Sequence, residues 1–168
     1  NAIAQTSEGF IWIGSYSGLI RYDGNTFERI DSTFGISSVV SLYVDRKNRL
    51  WIGTNDSGVA VMDKGNVTMF NKSEGLKSSS VRAILEDGNS NIYVATTHGI
   101  VMIDEKMKLQ AVDEPQINEE YIRSIMLGSD GVIYGITLKG AVFTMKDGKL
   151  TGYYDNKKLR IEDIHSIL

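Results

Sequence analysis

Cysteine is absent from this sequence, which excludes both a disulfide framework and a thiolate metal site. Histidine is nearly absent: His98 and His165 are the only two, and there is no HExxH pair or spaced Asp-x-Asp-x-Asp loop. We therefore expect no metal and no cofactor. No stretch approaches the roughly eighteen consecutive apolar residues that suggest a membrane-spanning helix, and no secretory leader pattern is present. Any membrane attachment is expected to lie in segments outside this chain. A basic excess is also missing. Lys and Arg total 18 against 21 Asp and Glu, and the net charge of −3 argues against nucleic acid as a partner. What remains is a globular composition, 42% hydrophobic and 23% charged, in a chain of 168 residues, long enough to bury a core.

A repeated segment dominates that composition. Ile11-Trp12-Ile13-Gly14, Trp51-Ile52-Gly53-Thr54, Tyr93-Val94-Ala95-Thr96 and Tyr134-Gly135-Ile136-Thr137 recur at intervals of 39, 42 and 41 residues. Each is followed by a glycine (Gly18, Gly58, Gly99, Gly140) and a second apolar run. A period of about forty residues with several short strands per unit signals small sheets stacked on one another. The spacing predicts four strands per unit. A polar hairpin turn at 7–9, 47–49, 89–91 or 129–131 should separate the first strand from the aromatic-bearing second strand. The second and third strands read as continuous apolar runs, which implies burial on both faces. Residues 119–127 carry a helix-like spacing, but the repeat register makes them strand. The fold class expected is all-β: a β-propeller of about four blades, each of four antiparallel strands. The blades should fall near 1–33, 37–73, 79–114 and 120–158, with 161–168 starting a further blade. The aromatic anchors are expected to fill the wedges between sheets, and the glycines to supply turn backbone that a Cβ would obstruct.

Within this pattern, Ser7-Glu8-Gly9-Phe10-Ile11-Trp12-Ile13-Gly14 followed by Gly18-Leu19-Ile20-Arg21-Tyr22-Asp23-Gly24 closely resembles the repeat of the two-component regulator propeller family. Leu50-Trp51-Ile52-Gly53-Thr54 with Gly58 is a second match, and Gly75-Leu76 resembles the linker between blades. The third unit departs at Tyr93 and Ala95, the fourth at Ile136 and Met145. The resemblance implies an extracytoplasmic sensory propeller of a membrane-anchored bacterial receptor, whose cytoplasmic output is a histidine kinase or diguanylate cyclase. It implies rings of about seven blades, so that this chain would be a fragment of a larger propeller. It also implies a small-molecule ligand, for some members an oligosaccharide. Asn1 opens in mid-pattern and Ile164 to Leu168 restart it, so a piece of a longer protein is expected, with self-association through open blade ends. The competing readings are an interaction scaffold and a polysaccharide-acting enzyme.

Candidate ligand-binding residues sit in the loops that break the repeat. Tyr16 offers a stacking ring, and Asn55, Asp56, His98 and Lys139 offer hydrogen bonds from the equivalent loops of successive units. Arg82, Arg123 and His165 share one position on successive first strands, where Val40 stands in the second unit. They could ring a channel mouth and attract an anion, or each arginine could pair with a carboxylate such as Glu120 or Glu162. A triad of Asp56, His98 and one of Ser78 to Ser80 lacks a strained nucleophile turn, and we expect no catalysis.

Overall fold

In the computed structural model, which describes residues 2–30 and 32–159, sixteen strands form four separate four-stranded sheets. Blade 1 contains β1 (Ala2–Gln5), β2 (Ile11–Ser15), β3 (Gly18–Tyr22) and β4 (Phe27–Arg29). Blade 2 contains β5 (Val39–Val44), β6 (Leu50–Thr54), β7 (Val59–Asp63) and β8 (Asn66–Phe70). Blade 3 contains β9 (Val81–Glu86), β10 (Ile92–Thr96), β11 (Ile100–Ile103) and β12 (Leu109–Ala111). Blade 4 contains β13 (Ile122–Leu127), β14 (Ile133–Thr137), β15 (Val142–Lys146) and β16 (Lys149–Tyr154). Every sheet is an antiparallel meander in sequence order. The helix-like spacing at 119–127 yields strand β13, because sheet pairing with β14 outweighs local periodicity. The restart at Ile164–Leu168, and His165 with it, lies outside the described residues.

First strands lie side by side: β1 contacts β5, β5 contacts β9, and β9 contacts β13. The sheets therefore fan out from their first strands, each face covered by the next sheet. Three apolar clusters fill the three wedges. Trp12 and Leu19 meet Leu50, Ile52 and Ala60; Trp51, Val59 and Phe70 meet Val81, Ile84 and Ile92; Tyr93 and Ile100 meet Ile122, Ile133 and Phe143. Each aromatic anchor thus points at the following blade. The linkers add one apolar plug apiece, Ile36, Leu76 and Ile117, all buried. Gly53 shows how tight the wedge is near the axis, since a Cβ there would lie 2.6 Å from a Val81 methyl of the next blade. At Gly58 the reason is different: its φ of +90° is left-handed, and a Cβ would lie 2.3 Å from the Phe70 carbonyl oxygen.

Two expectations need correction at the ends of the stack. Burial on both faces holds for β6 and β10 but not for β2 or for the third strands β3 and β15 of the end blades, where buried and half-buried residues are mixed. The outer face of blade 1 is uncovered among the described residues, leaving Ile3 71% and Phe27 68% exposed. Tyr134, read as a fourth wedge anchor, is only half-buried and donates its hydroxyl to Asp130 Oδ2 at 3.0 Å. It points away from blade 3, toward a side where no described sheet lies.

Tyr93, by contrast, is fully buried, and its hydroxyl has no hydrogen-bond partner among the described residues. Burial, followed by the negative charge of Asp87, pushes its pKa up to about 12. A tyrosine in the unfolded chain ionises near 10, so the unfolded state loses its proton first. Stability tied to Tyr93 is therefore complete below about pH 10 and declines as pH rises toward 12. Tyr93→Phe should flatten that decline in alkaline thermal melts; an unchanged alkaline limb would contradict it.

Candidate functional site

The loops joining second to third strands and the linkers joining blades meet on one face. Backbone bonds tie them together: Ser38 N to Tyr16 O at 3.0 Å, Gly58 N to Ser79 O at 2.9 Å, and Gly99 N to Glu120 O at 2.8 Å. The loops of the first three blades are thus each pinned to the linker entering the next blade. The blade 4 loop is tied to its own linker by Leu138 N to Tyr121 O at 2.8 Å. This arrangement orders the candidate residues along one ridge crossing all four blades.

Tyr16 stands at one end, 82% exposed. Asn55 and Asp56 come next. Ser38 bridges them by accepting Asn55 N through its carbonyl at 2.9 Å and donating its hydroxyl to Asp56 Oδ2 at 3.2 Å. Asn55 Oδ1 in turn accepts Arg82 Nη2 at 2.8 Å and Ser80 Oγ at 3.1 Å, and Arg82 Nη2 also reaches Ser80 Oγ at 2.7 Å. The Arg82 guanidinium lies 5.2 Å from the centroid of the Tyr121 ring. One cluster therefore joins a loop of blade 2, the entry of blade 3 and the entry of blade 4. His98 is exposed on the neighbouring turn, with Nδ1 3.3 Å from Thr97 Oγ1. Lys139 ends the ridge in an ion pair with Glu120 at 2.8 Å. That hydrogen bond and the Glu120 charge raise the lysine's pKa.

Arg82 and Arg123 owe their placement to a feature invisible in the repeat. The β9–β10 ladder pairs Ala83 with Ala95 and then Val81 with Thr96, skipping Arg82. The β13–β14 ladder skips Arg123, and the β5–β6 ladder skips Val40. Each is the extra residue of a β-bulge, a device that re-aims one side chain at the rim of a sheet. His165, the third basic residue of the set, lies outside the described residues. The alternative of an Arg82–Glu120 ion pair is not what forms. Glu120 goes to Lys139, and Arg82 has no carboxylate partner among the described residues. Its Nε is buried without an acceptor among the described residues.

Ser80, considered from the sequence only as a possible nucleophile, and Tyr121, not considered as a site residue, complete the cluster. The available signal was their position, each directly before a first strand whose second residue is arginine. The triad does not assemble: Asp56 bonds Ser38 and Ser57, Ser78 bonds Thr97, and His98 bonds Thr97.

Residues 33–56 and 75–98 match the two component regulator propeller family model. Each segment starts in a linker and runs through the anchor strand of blade 2 or blade 3. Two segments of the chain carry two-component regulator propeller repeats. No curated protein matches its sequence. Among solved structures, these repeats superpose on the extracellular domain of the hybrid two-component system BT3049 from B. thetaiotaomicron with a TM-score of 0.76 and 24% identity, covering 88% of this chain and 21% of that one. Virginiamycin B lyase from Staphylococcus aureus gives 0.77 at 17% identity, over 92% of this chain and 54% of the lyase. PorZ, a bacterial surface component of the type-IX secretion system of Porphyromonas gingivalis, gives 0.73 at 12%, over 96% and 28%. At such identities the likeness establishes the propeller fold. The propeller repeats here span about a fifth of the first of these proteins and about half of the second.

Proposed function

We propose that this chain is the non-catalytic, ligand-binding part of a bacterial membrane-anchored signalling receptor, acting outside the cytoplasm. Its recognition surface is the ridge from Tyr16 to Lys139. The observation that carries this reading is Arg82: a bulge-presented guanidinium held by the neutral acceptors Asn55 and Ser80 inside a family-matched repeat. A guanidinium with no carboxylate partner among the described residues keeps its attraction for an external anion, and Arg suits planar carboxylates. Together with the exposed Tyr16 ring and the amide of Asn55, this favours an oligosaccharide bearing a uronate group. Such a ligand would touch loops of several blades at once. Because each loop of the first three blades is tied to the next linker, binding would bias the relative position of the blades and so the signalling output.

Calorimetry with oligouronides and their neutral counterparts tests this. The acidic sugar should bind, and Arg82→Ala should cost about 1.5–3 kcal/mol, the usual worth of hydrogen bonds to a charged group. Uronate binding that is unchanged in Arg82→Ala, or absent from the parent chain, would overturn the assignment. Turnover of any glycan in the same series would replace it with an enzymatic function.

A further inference from the structure

The wedge between blades 1 and 2 holds a cavity of about 350 Å³ that opens between the turns opposite the ridge and extends to Phe34 of the linker. Small-molecule sites typically measure roughly 300–1,000 Å³. Phe10, Trp12, Ile30, Leu50 and Met62 line it, and the turns carrying Glu8, Asn48 and Lys64 form its lip. Those turns are clamped together: Asn48 Oδ1 accepts Ser7 N at 2.7 Å, and Asn48 Nδ2 donates to Glu8 Oε2 at 2.8 Å.

The repeat register explains why this wedge is open. In blade 2 the Trp51 ring is covered by Phe70, stacked at 6.3 Å and 20°, and by the Arg49 guanidinium 5.4 Å from the ring centroid. Asp45 holds that guanidinium in place at 2.6 Å. Blade 1 has Ile30, Phe10 and Thr6 at the corresponding three positions. Ile30 supplies no ring at the Phe70 position, the ring of the linker residue Phe34 lines the cavity without filling it, and Thr6 supplies no charge to hold a cation over the indole. Phe10 instead lies 4.6 Å from the Arg21 guanidinium, which pairs with Glu28 at 2.5 Å. Trp12, although only 6% exposed, therefore borders a cavity instead of being capped by a ring and a cation. The corresponding gap between blades 2 and 3 holds about 210 Å³, and Trp51 does not line it.

We propose that this wedge is a second binding site, independent of the ridge, for a small uncharged aromatic molecule. Its ring would take the place against Trp12 that the Phe70 ring takes against Trp51. Charge at the lip favours a neutral guest, since Arg21 and Lys64 balance Glu8 and Glu28 and Arg21 is already paired. Stacking on the indole and burial against Leu50 and Met62 supply the attraction.

The chain has two tryptophans, so isotope labelling gives two indole N–H resonances, one bordering this cavity and one, Trp51, that lines neither cavity as a control. Titration with p-cresol or indole should move the Trp12 signal saturably and leave that of Trp51 in place. Benzoate and benzylamine should bind about tenfold or more weakly, a difference of about 1.4 kcal/mol. Ile30→Phe, and Met62→Phe from the opposite wall, should fill the cavity, keep two dispersed indole signals and lose the response. The proposal is overturned if the Trp12 signal does not move, if both signals move alike, if the charged compounds bind equally well, or if either folded, filled variant still responds.

Discussion

Trp51→Ala should lower the stability of the chain by about 3–5 kcal/mol, the range for deleting a large aromatic side chain from a packed core. Trp51 is 0% exposed and sits among Val59 and Phe70 of its own blade and Val81, Ile84 and Ile92 of the next. Its removal would leave a void between two rigid sheets that cannot collapse without sliding blade against blade. The effect should be graded along the stack. Trp12 borders an existing cavity and Tyr134 is half-buried, so their alanine variants should lose less, in the order Trp51, Trp12, Tyr134. Urea unfolding of the three variants checks this, and equal losses would contradict the grading by showing that the three anchors are energetically equivalent.

Asp45→Ala should cost a similar amount, about 3–5 kcal/mol, because it breaks a buried ion pair from one side. Asp45 accepts Arg49 Nε at 2.6 Å, Trp51 Nε1 at 2.8 Å, and the backbone N–H groups of Lys47 and Arg49 at 3.0 and 2.8 Å. One carboxylate thus closes the hairpin turn, orients the anchor and neutralises a nearly buried guanidinium. Losing it strands that charge beneath Met107, whose sulfur lies 3.0 Å from Arg49 Nη1. Replacing both partners removes the stranded charge, so Asp45→Ala combined with Arg49→Met should recover much of the loss. A double variant as unstable as the single one would show that the turn and the Trp51 hydrogen bond, rather than the ion pair, dominate.

The blade count, strand order and anchor positions were legible because they follow from hydrophobic periodicity and turn chemistry. Gly9, Asn48, Ser90 and Gly131 occupy one equivalent turn position and all adopt positive φ, as the hairpin reading requires. Residues 47–49, however, looked like an ordinary polar turn. Nothing in their spacing shows that Arg49 folds inward onto Trp51, since that depends on Asp45 and Met107 from separate strands and blades. The bulges at Arg82 and Arg123 were equally hidden, because one unpaired residue leaves the repeat length unchanged. The position could be read as special from its basic residues, yet its partners Asn55, Ser80 and Tyr121 come together only through the fan of sheets. The cavity beside Trp12 arises from three substitutions at scattered repeat positions, and its volume depends on how neighbouring blades pack around them.

Nuclear Overhauser contacts from the two indole rings test the stacking of sheets most directly. If each anchor faces the next blade, the Trp51 ring will contact methyl groups of Val81, Ile84 and Ile92, and the Trp12 ring those of Leu50 and Ile52. Contacts between the two indoles themselves would place the anchors in a common sheet, and contacts of Trp51 confined to residues 39–70 would leave it uncovered by the next blade. Either would contradict the propeller arrangement.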